Sequence, residues 1–138
     1  MPAFTGAMAR NQARIPLDPP VGQNIRLGRL GEALAVRFLS GKGWLIMDRN
    51  WRCRWGEIDV IAVDGPDLVV CEVKTRASSR NGTPLESITP VKVRRLHRLA
   101  ELWLCERGGQ RERVRIDAIG VLIDPRDGQY RIHHARGI

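Results

Sequence analysis

The sequence predicts an α/β domain built on a mixed central sheet flanked by helices. Three observations lead to it. Two Val- and Ile-rich stretches, Glu57 to Val63 and Leu68 to Lys74, are separated only by the turn chemistry of Asp64-Gly65-Pro66-Asp67. Stretches with helical apolar spacing lie before and after this pair. A further apolar run from Val114 to Ile123 follows the second of them. The resulting order is α-β-β-β-α-β-β, and alternation of this kind favours a sheet covered by helices.

Residues 1–23 show no usable periodicity, and Pro16, Pro19 and Pro20 interrupt what apolar groups there are, so they are expected to form a disordered tail. Residues 24–138 are expected to form one domain. Its first helix runs from about Asn24, a plausible cap, to Ser40, with Gly41 as the stop. Leu27, Leu30, Leu34, Ala35, Val36, Phe38 and Leu39 fall on one broad arc, and Arg26, Arg29 and Arg37 on the other. Glu32 falls between Leu39 and Val36, on the apolar side. An unpaired charge there costs several kcal/mol, so this carboxylate needs a partner.

An edge strand is expected from Trp44 to about Asn50, then a basic turn from Cys53 to Gly56, then the two strong strands. The polar stretch Ala77 to Pro84 reads as a loop. Thr89-Pro90 opens the second helix, with Thr89 as cap and Pro90 at the first helical position, and Gly108-Gly109 closes it. Leu96, Leu99, Ala100, Trp103 and Leu104 give its buried stripe, while Lys92, Arg94, Arg95 and Arg98 give a basic surface. Val114 to Ile123 and Gln129 to His133 complete the sheet.

Charge is the unusual feature of the composition. The 138 residues hold 23 Lys and Arg against 15 Asp and Glu, a net +8. A polyanion is the natural partner, nucleic acid being the commonest, although an acidic membrane surface or protein meets the same demand. Cys53, Cys71 and Cys105 have neither disulfide nor zinc spacing and are expected to be reduced thiols. No apolar run suits a membrane span or secretory signal, which places the expected protein in the cytoplasm, away from the membrane.

The chemistry concentrates in the central hairpin. A turn centred on Gly65-Pro66 pairs Asp64 with Asp67, Val63 with Leu68, Ile61 with Val70 and Asp59 with Glu72. Directly opposed residues have Cβ atoms about 4.5–5.5 Å apart, so the two carboxylates repel each other. A divalent cation relieves such a pair. Glu57 and Lys74 lie one pair further along, which brings the Lys74 amine near the acids, able to hold a water or a phosphate oxygen. A metal site and a solvent-facing ionic sheet surface both account for this pattern. The placement of the acids between Ile58 and Val60, and between Cys71 and Val73, favours a purpose for the charge.

Gly28-Arg29-Leu30-Gly31-Glu32, Gly56-Glu57-Ile58-Asp59-Val60-Ile61-Ala62 and Cys71-Glu72-Val73-Lys74-Thr75-Arg76, with Asn50, Gly82, Lys92 and Asp117, resemble the bacterial YraN-like family of uncharacterised proteins. That family is related to Holliday-junction resolvases and other PD-(D/E)XK nucleases. The resemblance runs from about Gly28 to Val121 and implies a single restriction-endonuclease-like domain. It also implies that Asp59 and Glu72 ligate Mg²⁺ or Mn²⁺, that the Val73 carbonyl adds a ligand, and that Lys74 orients or activates water. Glu32 matches the acid on the first helix of such nucleases. Cys71 stands where the family more often has an aromatic or aliphatic residue.

The expected activity is metal-dependent hydrolysis of phosphodiester bonds in structured or single-stranded DNA, with DNA favoured over RNA and a homodimer suggested by the resolvase relatives. Arg76, Lys92 and Arg95, with Arg94 and Arg98 and then Arg52 and Arg54, are candidate phosphate contacts. Trp44 and Trp103 are expected in the core, and Trp51 and Trp55 are left open between packing and stacking on bases. Two other readings stand beside the nuclease: a non-catalytic nucleic-acid-binding module with the same fold, and an adaptor for an acidic protein.

Overall fold

A computed structural model describes residues 4–7, 23–77, 85, 88–109 and 113–138. Two helices sandwich a six-stranded mixed sheet. In chain order the elements are β1 (Phe4–Ala7), α1 (Gln23–Gly41), β2 (Leu45–Cys53), β3 (Gly56–Asp64), β4 (Asp67–Arg76), α2 (Pro90–Arg107), β5 (Arg113–Ile123) and β6 (Tyr130–Ala135). The sheet order is β1-β6-β5-β4-β3-β2. β4 and β5 run parallel, joined by the crossover through α2, and the other neighbours are antiparallel.

The expected α-β-β-β-α-β-β order is present, with bounds that differ by a few residues at most. Gly65, at φ +58°, supplies the left-handed backbone of the β3–β4 turn, and Asp64 pairs with Asp67 as the turn chemistry required. Thr89 caps α2 by accepting a hydrogen bond from the Lys92 N–H at 3.2 Å, and Gly108 closes it at φ +65°. β2 is an edge strand but continues to Cys53, so only Arg54 and Trp55 remain in the turn before β3.

Of the expected tail, residues 8–22 lie outside the described residues, and at residues 4–7 the structure differs from the expectation. Phe4–Ala7 form an edge strand against β6, pairing Phe4 with Ala135 and Ala7 with Ile132. Four residues are too few to leave a period in the sequence, and the segment is held by backbone pairing to the exposed edge of β6. Most of the loop expected from Ala77 to Pro84 lies outside the described residues.

Each sheet face has its own core. On one, Leu27, Leu34, Ala35 and Leu39 of α1 pack on Val60, Ala62, Val69, Cys71, Val73 and Ile119. On the other, Leu96, Leu99, Ala100 and Trp103 of α2 pack on Ile58, Ile61, Leu68, Val70 and Ile116. Trp44 and Trp103 are buried as expected. No described helix is long and apolar enough to cross a membrane.

Ile58 and Ile61 share the α2 face although strict alternation would put them on opposite faces. The irregularity lies at Asp59. The β2–β3 ladder pairs Arg49 with Val60 and Trp51 with Ile58 but skips the intervening Asn50 and Asp59, and Asn50 sits at φ +52°. The β3–β4 ladder stops at Val60 opposite Cys71. Asp59 is therefore released from regular pairing on both sides.

Candidate functional site

The register read from the turn holds through Val60 and Cys71, and just beyond it Asp59 lies close enough to Glu72 for the Glu72 charge to act on it. Backbone pairing has ended there. The Asp59 Oδ2 instead accepts a hydrogen bond from the Val73 N–H at 2.8 Å, spanning the gap between β3 and β4 with its side chain. Glu72, on the α2 face, is only 7% exposed. A carboxylate so buried needs a counter-charge. Lys92 of α2 supplies it at 2.6 Å from Oε1, with Lys74 at 3.6 Å from the same oxygen.

Lys92 is therefore placed against a site acid and not on the open basic surface expected of it. Its position carried the signal: Lys92, Leu96, Leu99 and Trp103 follow one another at four-, three- and four-residue spacing, so Lys92 lies on the buried stripe of α2. Near the cap of the helix that stripe passes over Glu72.

Glu32 reaches the same region from the other helix. Gly31 makes this possible, because a Cβ there would overlap the Thr75 side chain, so α1 lies directly on the end of β4. Glu32 is half-buried, and its charge acts on Asp59. Glu57 departs from the expected arrangement. It is exposed and paired with Arg52 at 3.1 Å, since the irregularity at Asp59 breaks the alternation that would have set it beside Lys74. Among the nucleic-acid contacts expected from the sequence, Arg76 and Arg95 are exposed, Arg76 donating to the Thr75 carbonyl at 3.1 Å.

Electrostatically the site carries excess negative charge at Asp59. Burial, then the Glu72 charge, with smaller contributions from Glu32 and Glu57, push the Asp59 carboxyl up to about 7, against the Val73 N–H that favours the anion. Burial and the neighbouring Lys92 lower Lys74. Lys92 is held above its ordinary value: burial opposes its charge, and the contact with Glu72 outweighs it.

The donor set is all oxygen, which suits a hard cation. Among the described residues no group of three or more His, Cys, Asp or Glu side chains is gathered to hold a metal ion. Two carboxylates are still compatible with Mg²⁺, which is commonly held by one or two carboxylates and completes its shell with water and substrate phosphate.

A second buried polar cluster, missed in the sequence, lies on the α1 face. Asp117 and His134 are both fully buried. Asp117 Oδ1 accepts from Arg115 Nε at 2.9 Å and from the Gly137 N–H at 3.0 Å. Oδ2 accepts from Arg115 at 3.0 Å and lies 2.7 Å from His134 Nε2. The Lys42 amine lies 3.2 Å from His134 Nδ1. An ammonium only donates, so Nδ1 accepts and Nε2–H points at Asp117. These partners hold Asp117 below its ordinary value in spite of burial.

An acid on the first helix, an Asp on the second core strand and Glu-x-Lys on the third, placed on a helix-flanked mixed sheet, define a domain related in fold to the PD-(D/E)XK nucleases. The chain belongs to the uncharacterised protein family UPF0102, whose model matches residues 31–121. A UPF0102 protein of Nocardioides sp. is 52% identical over 112 residues, covering 81% of this chain and 90% of that protein. One from Streptomyces griseus is 53% identical over 113 residues, covering 81% and 94%. One from Mycolicibacterium vanbaalenii is 52% identical over 100 residues, covering 72% and 83%.

Proposed function

We propose that the protein is a metal-dependent nuclease that hydrolyses phosphodiester bonds in structured or single-stranded DNA. One observation carries the reading: Asp59, released from both ladders, faces Glu72 with too few donors to offset its charge. Asp59 and Glu72, with the Val73 carbonyl, would hold Mg²⁺ or Mn²⁺, which supplies an activated water and charge neutralisation at a phosphoryl oxygen. Lys74 positions water or a phosphate oxygen beside Glu72. Lys92 fixes the Glu72 carboxylate and adds positive charge where a polyanion approaches. Glu32 reaches the metal-side carboxylates from α1, directly or through water. The net charge of +8 supports nucleic acid as partner.

The second reading, a nucleic-acid-binding module without catalysis, is favoured by the Lys92–Glu72 contact at 2.6 Å, which already gives Glu72 a cation. Incubating purified protein with branched, single-stranded and supercoiled DNA, with Mn²⁺ or Mg²⁺ and with EDTA, separates the two. The nuclease cuts only with metal, and Glu72→Ala cuts no better than the EDTA control. Binding without cleavage, or a mutant that cuts like wild type, rejects the nuclease.

A further inference from the structure

A groove of about 600 Å³ runs along the outer flank of α2, lined among others by Trp55, Arg95, Arg98, Leu99 and Leu102. None of its lining residues belongs to the proposed active site. Arg95 follows Lys92 by about one helical turn, and Leu102 lies about 15 Å further along the axis than Lys92. The α2 residues that line the groove therefore all lie further along the helix than the point where Lys92 meets Glu72.

Trp55 is the residue that fold stability does not explain. It occupies the two-residue turn between β2 and β3, where glycine, asparagine and aspartate are the favoured types, and 64% of its surface is exposed. Leu102, which also lines the groove, is 41% exposed. The turn lies directly on α2, since a Cβ at Gly56 would come within 3.1 Å of Leu99, so Trp55 is held over the helix. The Arg54 guanidinium lies over the Trp55 ring, 4.8 Å from its centroid, and is not among the residues lining the groove.

The charge around this indole is one-sided. Of the charged residues lining the groove, Arg95 and Arg98 stand against Glu101, and among the described residues neither arginine has an ion-pair partner; the nearby Glu57 is already paired with Arg52. An exposed flat ring and two unpaired guanidiniums lining one groove match a chain of alternating bases and phosphates. An acidic peptide would use the cations and leave the indole face without a partner.

We infer that this groove is a subsite for single-stranded nucleic acid, with one base stacked on Trp55 and the adjoining phosphates on Arg95 and Arg98. Its role as the arm that feeds a strand toward Glu72 rests on the nuclease reading; the binding itself does not. Base stacking on an exposed aromatic is sequence-tolerant, so the subsite takes any base and selects for unpaired strand.

Fluorescence anisotropy of a labelled oligothymidylate of about twelve nucleotides, in EDTA so that nothing is cut, tests it. Trp55→Ala is expected to weaken binding roughly tenfold, with Trp55→Phe retaining most of the affinity. The double variant Arg95→Gln/Arg98→Gln should weaken binding too and flatten its salt dependence. This variant alters only exposed side chains and keeps the test decisive if Trp55→Ala fails to fold. Wild-type affinity in both variants overturns the subsite, as does a Trp55→Ala protein whose only change is its oligomeric state in gel filtration. A protein that binds through Trp55 yet cuts nothing removes the nuclease and keeps the subsite; one that cuts but ignores both variants does the reverse.

Discussion

Asp59 and Asp117 are both aspartates set into apolar strands of one sheet, and the protein treats them in opposite ways. Asp117 is completed: Arg115, His134 and the Gly137 N–H direct four contacts onto its two oxygens, and its carboxyl is held down although it is fully buried. Asp59 takes one hydrogen bond, from Val73, faces the like charge of Glu72, and is pushed up to about 7. Burial alone does not tell a structural carboxylate from a functional one. The number of donors supplied by the fold separates these two, and the proposed role of Asp59 rests on its being left short of them.

The sharpest way to break this comparison is to delete the completed acid. Asp117→Ala leaves Arg115 and His134 without their shared carboxylate in the interior. Arg115 keeps Asp64 and Asp67, each at 3.2 Å, but the fully buried His134 N–H is left without its acceptor, so a loss of ~3 kcal/mol in urea unfolding is expected. Gly137 also loses its acceptor, which loosens the chain end. If Asp117→Ala unfolds at the same urea concentration as wild type, the network contributes nothing and the contrast collapses.

The two acids also differ in how far the sequence disclosed them. The register of the strands that carry Asp59, Glu72 and Lys74 is legible from Asp64–Asp67 to Val60–Cys71, because a two-residue turn between strands of similar length fixes it. Glu57 was placed wrongly for a physical reason: the pairing on both sides of β3 lapses at Asp59, and alternation cannot be carried through a lapse. Asn50, left-handed at φ +52° opposite that position, marks it only once the backbone is known. Lys92 was legible as a member of the buried stripe but was grouped with the basic surface. The Asp117 cluster joins residues from β5, β6 and the turn after α1, and no local pattern announces contacts between segments so far apart. β1 escaped because a four-residue edge strand needs only backbone groups.

A second test uses pH, where the two acids carry opposite signs. Asp117, with its carboxyl lowered, adds stability that is present above the ordinary aspartate range and is lost as pH falls through its folded value. Asp59, raised from 3.8 to about 7, holds a proton in the folded state that the unfolded chain releases. Between those values the folded state binds more protons, so the metal-free protein loses stability as pH rises from about 4 to 7. Asp59→Asn removes that loss and is expected to be more stable than metal-free wild type by ~2 kcal/mol at pH 8, with the difference shrinking toward pH 4. Thermal or urea unfolding across that range reads it. A variant less stable than wild type at pH 8 would mean that Asp59 is already satisfied within the fold.

The smallest expected effect is the most specific to the proposed site. A ligand that binds only the folded state stabilises by RT ln(1 + [L]/Kd), about 1.4 kcal/mol when the free ion is at ten times its dissociation constant. Mg²⁺ or Mn²⁺ added at pH 8 meets an ionised Asp59 and should raise the unfolding midpoint by that order. At pH 6 the proton on Asp59 competes with the ion, and the same addition should give a smaller rise. Asp59→Asn should abolish the rise at both pH values. Asp117 makes the comparison internal, because its oxygens are already filled by protein donors and have no room for the ion. Equal stabilisation of wild type and Asp59→Asn would place the ion elsewhere and leave Asp59 as a buried acid with no ligand.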